Sequence, residues 1–272
     1  MYPVGATNAG LTAIAARVAG EAAELVLAGH ERMRDGQSVR VDTKSTATDV
    51  VTAVDRESER FVRRRLAELR PEDAVLGEEE GGTAGEGVTW VVDPIDGTVN
   101  FLYGYPWFSV SIAAQVDGVS VAGAVVEPVS GRRWTATRDE GAWLDGRRLS
   151  VSAPAALDLA LVGTGFAYLP ERRRRQAALA ATVLGGVRDV RRAGSGSLDL
   201  CSVAAGWFDA YYEHGLHPWD WAAGALLAEE AGAVVSLPGA DPALGTDMTF
   251  AAAPSIAEPL HALLVESGAS GV

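Results

Sequence analysis

The sequence predicts a layered α/β fold in one domain over residues 1–272, with an α+β half to about residue 150 and an α/β half after it. Three observations carry this expectation. Leu11, Ile14, Ala15, Val18, Ala22, Leu25 and Val26 share one helical stripe within residues 9–34. Short apolar runs alternate with turns between Ala74 and Leu144. Beyond Leu159, strand and helix patterns follow one another in turn, the rhythm of sheet and helix layers.

The elements follow in order. Val41 to Thr48 is polar and reads as a loop or edge hairpin. Asp49 stands where it would cap a second helix running to about Leu69, closed by Pro71. The runs 74–76, 88–92, 108–115, 119–126, 133–137 and 142–144 predict strands of a mostly antiparallel sheet. Asp117-Gly118 and Asp145-Gly146 supply its hairpin turns. The second half predicts a strand at 159–164, a helix at 171–184, a strand at 187–192 and a helix at 195–207. A strand at 210–213, a helix at 219–231, strands near Val234 and Phe250, and a helix at 256–265 complete it. The basic run from Arg172 to Arg175 reads as a solvated helix start with no function.

Composition narrows the function. The chain is 48% hydrophobic and 22% charged, ordinary for a folded protein. With 36 acidic against 23 basic residues its net charge is −13, which argues against a binder of nucleic-acid phosphates. An anionic substrate would need bound divalent cations to reverse the local field. One cysteine, Cys201, excludes an intrachain disulfide and fits a reducing compartment. The N-terminus lacks signal-peptide grammar and no apolar run approaches the ~20 residues of a membrane span, so a cytoplasmic protein is expected. Lys44 is the sole lysine among arginines. Chance survival and a need for a compact ammonium are equally open on composition alone.

Acidic residues gather at element ends. Glu78 follows a strand, Asp93 and Asp96 follow the apolar Trp90-Val91-Val92, Asp220 opens a helix between two tryptophans, and Asp55 lies in the second helix. In Asp93-Pro94-Ile95-Asp96-Gly97-Thr98, Pro94 fixes the backbone and removes a donor, while Ile95 offers its carbonyl. Asp96 returns a second carboxylate to the same side. Gly97 permits a tight turn that lets the N–H groups of Gly97 and Thr98 face an anion. Carboxylate and carbonyl oxygens suit magnesium. Asp-Pro and Asp-Gly are also ordinary turn pairs, so the six residues carry the signal together rather than singly. Trp219 and Trp221 read as packing residues, and His217 as a structural hydrogen-bonder.

These residues resemble the inositol monophosphatase family of lithium-sensitive, magnesium-dependent phosphatases. The segments that carry the resemblance are Trp90 to Phe101, Trp219-Asp220-Trp221-Ala222-Ala223-Gly224, Gly77-Glu78-Glu79, Asp209 to Glu213, and Lys44 with Val51 to Asp55. The resemblance implies an αβαβα five-layer sandwich and a homodimer. It implies two to three Mg2+ ions, the first held by Glu78, Asp93 and the Ile95 carbonyl, the second by Asp93, Asp96 and Asp220. It implies water oriented by Glu78 and Thr98 for in-line attack, with Asp55 directing the Thr98 hydroxyl. Gly97 and Thr98 would hold the phosphate. Asp96, Gly194, Ser195, Gly196 and Glu213 would contact the polyol of a small phosphomonoester. Lys44 falls on a lysine near the metals.

Hydrolysis of myo-inositol 1-phosphate is therefore expected, and Val99-Asn100 favours it over histidinol-phosphate or nucleotide 3′-phosphate hydrolysis. Fructose-1,6-bisphosphatase activity, sometimes shared by the branch it resembles, stays open; Gly163 to Tyr168 departs from the animal inositol enzymes, which bears on substrate identity and not on the chemistry. A regulatory binding protein that kept the fold is the non-enzyme alternative; loss of a carboxylate would mark it, and none is lost. No Gly-x-Ser-x-Gly, P-loop or dinucleotide fingerprint is present.

Overall fold

The computed structural model describes residues 7–35, 41–43 and 50–272. Helix α1 (Asn8–Arg34) opens at Thr7, whose side chain accepts from the Gly10 N–H at 3.1 Å. Strands β1 (Val41–Thr43) and β2 (Val50–Thr52) pair antiparallel. Helix α2 spans Ala53–Leu69. The expected Asp49 cap lies outside the described residues, and the cap is Thr52 instead. Thr52 accepts from the N–H groups of Val54 and Asp55, and Asp55 Oδ2 returns a bond to the Thr52 N–H at 2.9 Å. This reciprocal pair is a capping box built around a carboxylate.

Strands β3 (Ala74–Gly77) and β4 (Val88–Asp96) lead to helix α3 (Thr98–Tyr103). Strands β5 (Ser109–Val116), β6 (Val119–Val126), β7 (Arg133–Thr137), β8 (Gly141–Leu144) and β9 (Arg147–Arg148) follow. They form a seven-stranded sheet in chain order. It is antiparallel except where β3 runs parallel to β4, which makes the expected sheet correct but for one pair. Asp117-Gly118 and Asp145-Gly146 take positive φ at both residues, as type I′ hairpin turns require. Strand β4 runs four residues past its expected end at Val92. Asp93 pairs with Ser111 and Asp96 with Ser109, and the register shifts between them. A bulge at Pro94-Ile95 thus absorbs the proline within the sheet.

The second half contains β10 (Leu161–Thr164), α4 (Pro170–Leu184), β11 (Asp189–Arg191) and α5 (Gly196–Ala204). Then come β12 (Ala210–His214), α6 (Pro218–Glu230), β13 (Val234–Ser236), β14 (Met248–Ala252) and α7 (Pro254–Glu266). Its five-stranded sheet has the order β11-β10-β12-β14-β13. Strands β11, β10 and β12 are parallel, and β14 runs against both its neighbours. Five layers result: α1 and α2, the larger sheet, α5 and α6, the smaller sheet, then α4 and α7.

Each interlayer space is a hydrophobic cluster. Leu11, Val18, Val62 and Trp90 fill the first, Val91, Trp134, Leu198 and Leu226 the second. Leu200, Tyr211 and Ala251 fill the third, and Val162, Phe250, Ile256 and Leu260 the fourth. The central helices lie very close: a Cβ on Gly224 of α6 would meet Leu200 Cβ of α5 at 2.8 Å and the Ser197 carbonyl at 3.0 Å. That approach brings the starts of α5 and α6 together beside the end of β4. Gly224→Val should force these helices apart and cost about 1–3 kcal/mol, the usual penalty of overpacking. Denaturant melts would show it as a lower midpoint, and an unchanged midpoint would contradict the close packing.

Candidate active site

The end of β4, the start of α3 and the starts of α5 and α6 converge on one cavity of about 400 Å³. Glu78, Asp93, Ile95, Asp96, Gly97, Thr98 and Asp220 line one end. Gly194, Gly196 and Glu213 line it further out, with Phe166, Tyr168 and His214. The cavity therefore gathers ten of the residues singled out in the sequence.

One carboxylate oxygen each from Asp93, Asp96 and Asp220 lies within 4.8 Å of the others. Local structure fixes all three. Asp93 Oδ1 accepts from the Ile95 N–H at 3.0 Å across the bulge. Asp220 sits in the first turn of α6, where its Oδ2 accepts from the His217 N–H at 2.6 Å. Asp96 is held by the start of α5: its Oδ2 accepts from Ser195 Oγ and the Ser197 N–H, both at 2.7 Å, and from Ser197 Oγ. Asp96 Oδ1 has only a long bond, 3.3 Å from the Gly196 N–H, and so keeps acceptor capacity.

Electrostatics mark this cluster as strained without a counter-charge. Burial lifts the Asp93 carboxyl well above the usual carboxylate range, and the charges of Glu78, Asp96 and Asp220 lift it further. Asp220 is raised for the same reasons, burial first. Burial raises Asp96 as well, while its bonds from Ser197, Ser195 and Gly196 pull the other way. Among the described residues none of the three carboxylates forms a salt bridge. Like charges about 4 Å apart repel by about 4 kcal/mol at an effective dielectric near 20. Clustered oxygen donors with no basic partner fit a hard divalent cation.

Asp55 and Thr98 form an adjoining pair. The Thr98 hydroxyl lies 3.1 Å from Asp55 Oδ1 and 3.0 Å from the Ile95 carbonyl, and its single proton serves one of them at a time. Burial pushes Asp55 up to about 6, against its bonds from Thr52. Gly97 takes φ 96°, a left-handed turn open to glycine, and delivers the first N–H groups of α3 to the cavity. Glu213 ends the opposite wall, pushed up to about 7 by burial although Tyr211 donates to it and Arg192 lies near.

Some expectations fell elsewhere. The Ser195 side chain is buried on Asp96 and does not line the cavity, although Gly194 and Gly196 do. Lys44 lies outside the described residues. His217 and Trp219, set aside in the sequence, line the cavity and stack at 4.9 Å. Sequence reasoning passed over Ser197, the second residue of α5, which follows the Ser195 cap and gives no local signal that it holds Asp96. It also passed over Glu59, one turn beyond Asp55 on α2. Glu59 is fully buried and accepts from the N–H groups of Glu79 and Glu80 at 2.7 and 3.1 Å, so it holds the turn that carries Glu78.

Raised folded-state values have a sign. A carboxyl whose folded value exceeds its unfolded one is no burden below pH ~4, where both states are protonated, and weakens the fold as pH climbs through that gap, by up to about 1.4 kcal/mol per unit. Asp93→Asn keeps the Oδ1 acceptor and removes the charge. With a chelator present, the variant should match the native protein near pH 4 and exceed its melting temperature increasingly towards pH 8. Parallel pH profiles would contradict this.

Comparison with known proteins agrees with this geometry. The model of the inositol monophosphatase family matches residues 8–269. An inositol-1-monophosphatase of Mycobacterium leprae is 57% identical over 235 residues, 82% of this chain and 81% of its own length. The Nus factor SuhB of Pseudomonas aeruginosa is 43% identical over 230 residues, 82% and 83% of the two chains. A solved structure of Mycobacterium tuberculosis SuhB, 45% identical, superposes with a TM-score of 0.83 over 97% of this chain and 98% of that one. The chain belongs to the inositol monophosphatase family, a family of phosphatases.

Proposed function

We propose that this protein is a magnesium-dependent phosphomonoesterase that hydrolyses myo-inositol 1-phosphate and related polyol phosphates to the polyol and inorganic phosphate. The observation that carries the reading is the cluster of Asp93, Asp96 and Asp220, without an ion-pair partner among the described residues, at one end of a cavity whose other wall bears Glu213. Asp93, Asp96, Asp220, Glu78 and the Ile95 carbonyl would hold the ions. Bound magnesium supplies charge neutralisation and a nucleophile available at neutral pH.

The chain's own residues do the rest. Were the Ile95 carbonyl to serve a cation, the Thr98 hydroxyl would donate to Asp55, and its oxygen would be left as an acceptor able to orient water. Glu78, beside Asp93, faces the same space. The N–H groups of Gly97 and Thr98 receive phosphate oxygens. Glu213 accepts from hydroxyls of the leaving polyol, and the backbone of Gly194 and Gly196 borders it. The attacking water would give up one proton as its oxygen bonds phosphorus, the ester P–O bond would break, and the leaving oxygen would take up a proton, so that the polyol departs as an alcohol beside hydrogen phosphate.

The similarity to a Nus factor favours a second reading, a binding role that needs no turnover. Phosphate release separates the two. With magnesium, the protein should release phosphate from inositol 1-phosphate faster than from fructose 1,6-bisphosphate, histidinol phosphate or adenosine 3′,5′-bisphosphate. Asp93→Asn should lose at least about a hundredfold in rate with its fold intact. Lithium in the millimolar range should inhibit. Inactivity on all four substrates would sink the enzymatic reading.

A further inference from the structure

We propose that Gln176, on the buried face of α4, is a positioning residue that sets how the polyol end of the cavity grips its ligand. The inference rests on the phosphatase reading above. Its physical basis lies where two parallel strands part company.

The β10–β12 ladder ends at the pair Thr164–Tyr212. Beyond it the two chains diverge, one as the segment 165–169 and the other as Glu213-His214-Gly215. Both segments then line the same cavity. The side-chain amide of Gln176 bridges them where the backbone ladder no longer does. Its Oε1 accepts from the Ala167 N–H at 2.6 Å, and its Nε2 donates to the His214 carbonyl at 3.2 Å. Gln176 is only 3% exposed, so water offers no ready substitute for either bond. A primary amide has the donor and acceptor of a peptide group, and here it replaces one.

A second residue of α4 completes the clamp from outside. Arg173 Nε donates to the Ala167 carbonyl at 2.8 Å, and its Nη2 to the Tyr168 carbonyl at 3.2 Å. The segment is also pressed against the substrate wall: a Cβ on Gly165 would lie 1.9 Å from Glu213 Oε2. Of the basic run that read as a solvated helix start, Arg172 lines the cavity and Arg173 bonds the segment behind it, while Arg174 and Arg175 are exposed as expected. None of these bonds reaches β4, α3 or α6, which build the carboxylate end. Loss of the clamp should alter ligand discrimination and spare the chemical step.

The test compares inositol 1-phosphate with glycerol 2-phosphate, whose leaving group is smaller than the ring. Gln176→Met fills the same space without either hydrogen bond. It should raise KM for inositol 1-phosphate about tenfold, leave kcat within about twofold, and leave both constants for glycerol 2-phosphate nearly unchanged. Gln176→Glu keeps the acceptor for Ala167 and should show a smaller rise, which shrinks as pH falls and its protonated carboxyl donates to His214. Amide exchange gives a readout free of catalysis: the 165–169 amides should exchange faster in Gln176→Met while those of 93–98 do not. Equal losses on both substrates, or unchanged KM with unchanged exchange, would overturn the assignment. If Gln176→Met fails to fold, Arg173→Met should give the same pattern at lower amplitude, and its absence there would count equally against the clamp. If the native protein hydrolyses neither substrate, the phosphatase reading has failed, and the exchange result alone decides whether Gln176 is the clamp.

Discussion

Three carboxylates, two of them buried and the third half-buried, brought together with no basic partner among the described residues are the constraint on which the rest of this molecule turns. Left alone, Asp93, Asp96 and Asp220 repel one another in a medium that solvates them poorly, and burial leads the causes that raise each. A fold does not gain stability from such an arrangement. It leaves oxygen donors that could hold a small, hard cation, because such an ion would replace both the lost water and the missing counter-charge. Strain at one point of a stable scaffold is the usual mark of a functional site.

The scaffold meets the constraint with backbone. A bulge in β4 turns two carboxylates, three residues apart, towards the same space, where a regular strand would send them to opposite faces. The start of α5 donates to one oxygen of Asp96 and leaves the other lightly bonded. The first turn of α6 places Asp220, and the close contact of Gly224 with α5 fixes the distance between those two helix starts. Glu59 and Asp55, one turn apart on α2, hold the Glu78 turn and the Thr98 hydroxyl from behind. The carboxylate end is thus made of the larger sheet with the central helices. The opposite end is made of the last residues of β12 and the segment 165–169 that follows β10, and side chains of α4 bridge the two.

Much of this was legible in the sequence because the signals were local. Amphipathic spacing gave α1, the Asp-Gly pairs gave the hairpins, and Asp93 to Thr98 announced itself by combining a proline, two carboxylates and a glycine after an apolar strand. What escaped depended on contacts distant in sequence. Thr52 displaced Asp49 as the cap because Asp55 could answer it from within the helix. Strand β4 outran its apolar stretch because pairing with β5 carries polar Asp93 and Asp96 along. Ser195 was expected at the ligand, but its hydroxyl is spent on a carboxylate 99 residues away. Gln176 gives no sequence signal at all: a glutamine amid arginines and alanines looks solvated until the fold closes over it.

A divalent cation at the carboxylate cluster would meet carboxyls whose affinity for protons burial and mutual repulsion have raised, so cation and proton should compete there. Calorimetric titration of the purified protein with magnesium at pH 7, in two buffers of different ionisation enthalpy, measures both binding and the protons released. The account predicts saturable binding with release of protons to the buffer, and loss of most of both in Asp93→Asn. Magnesium heats that match in the two proteins, or binding without proton release, would contradict it.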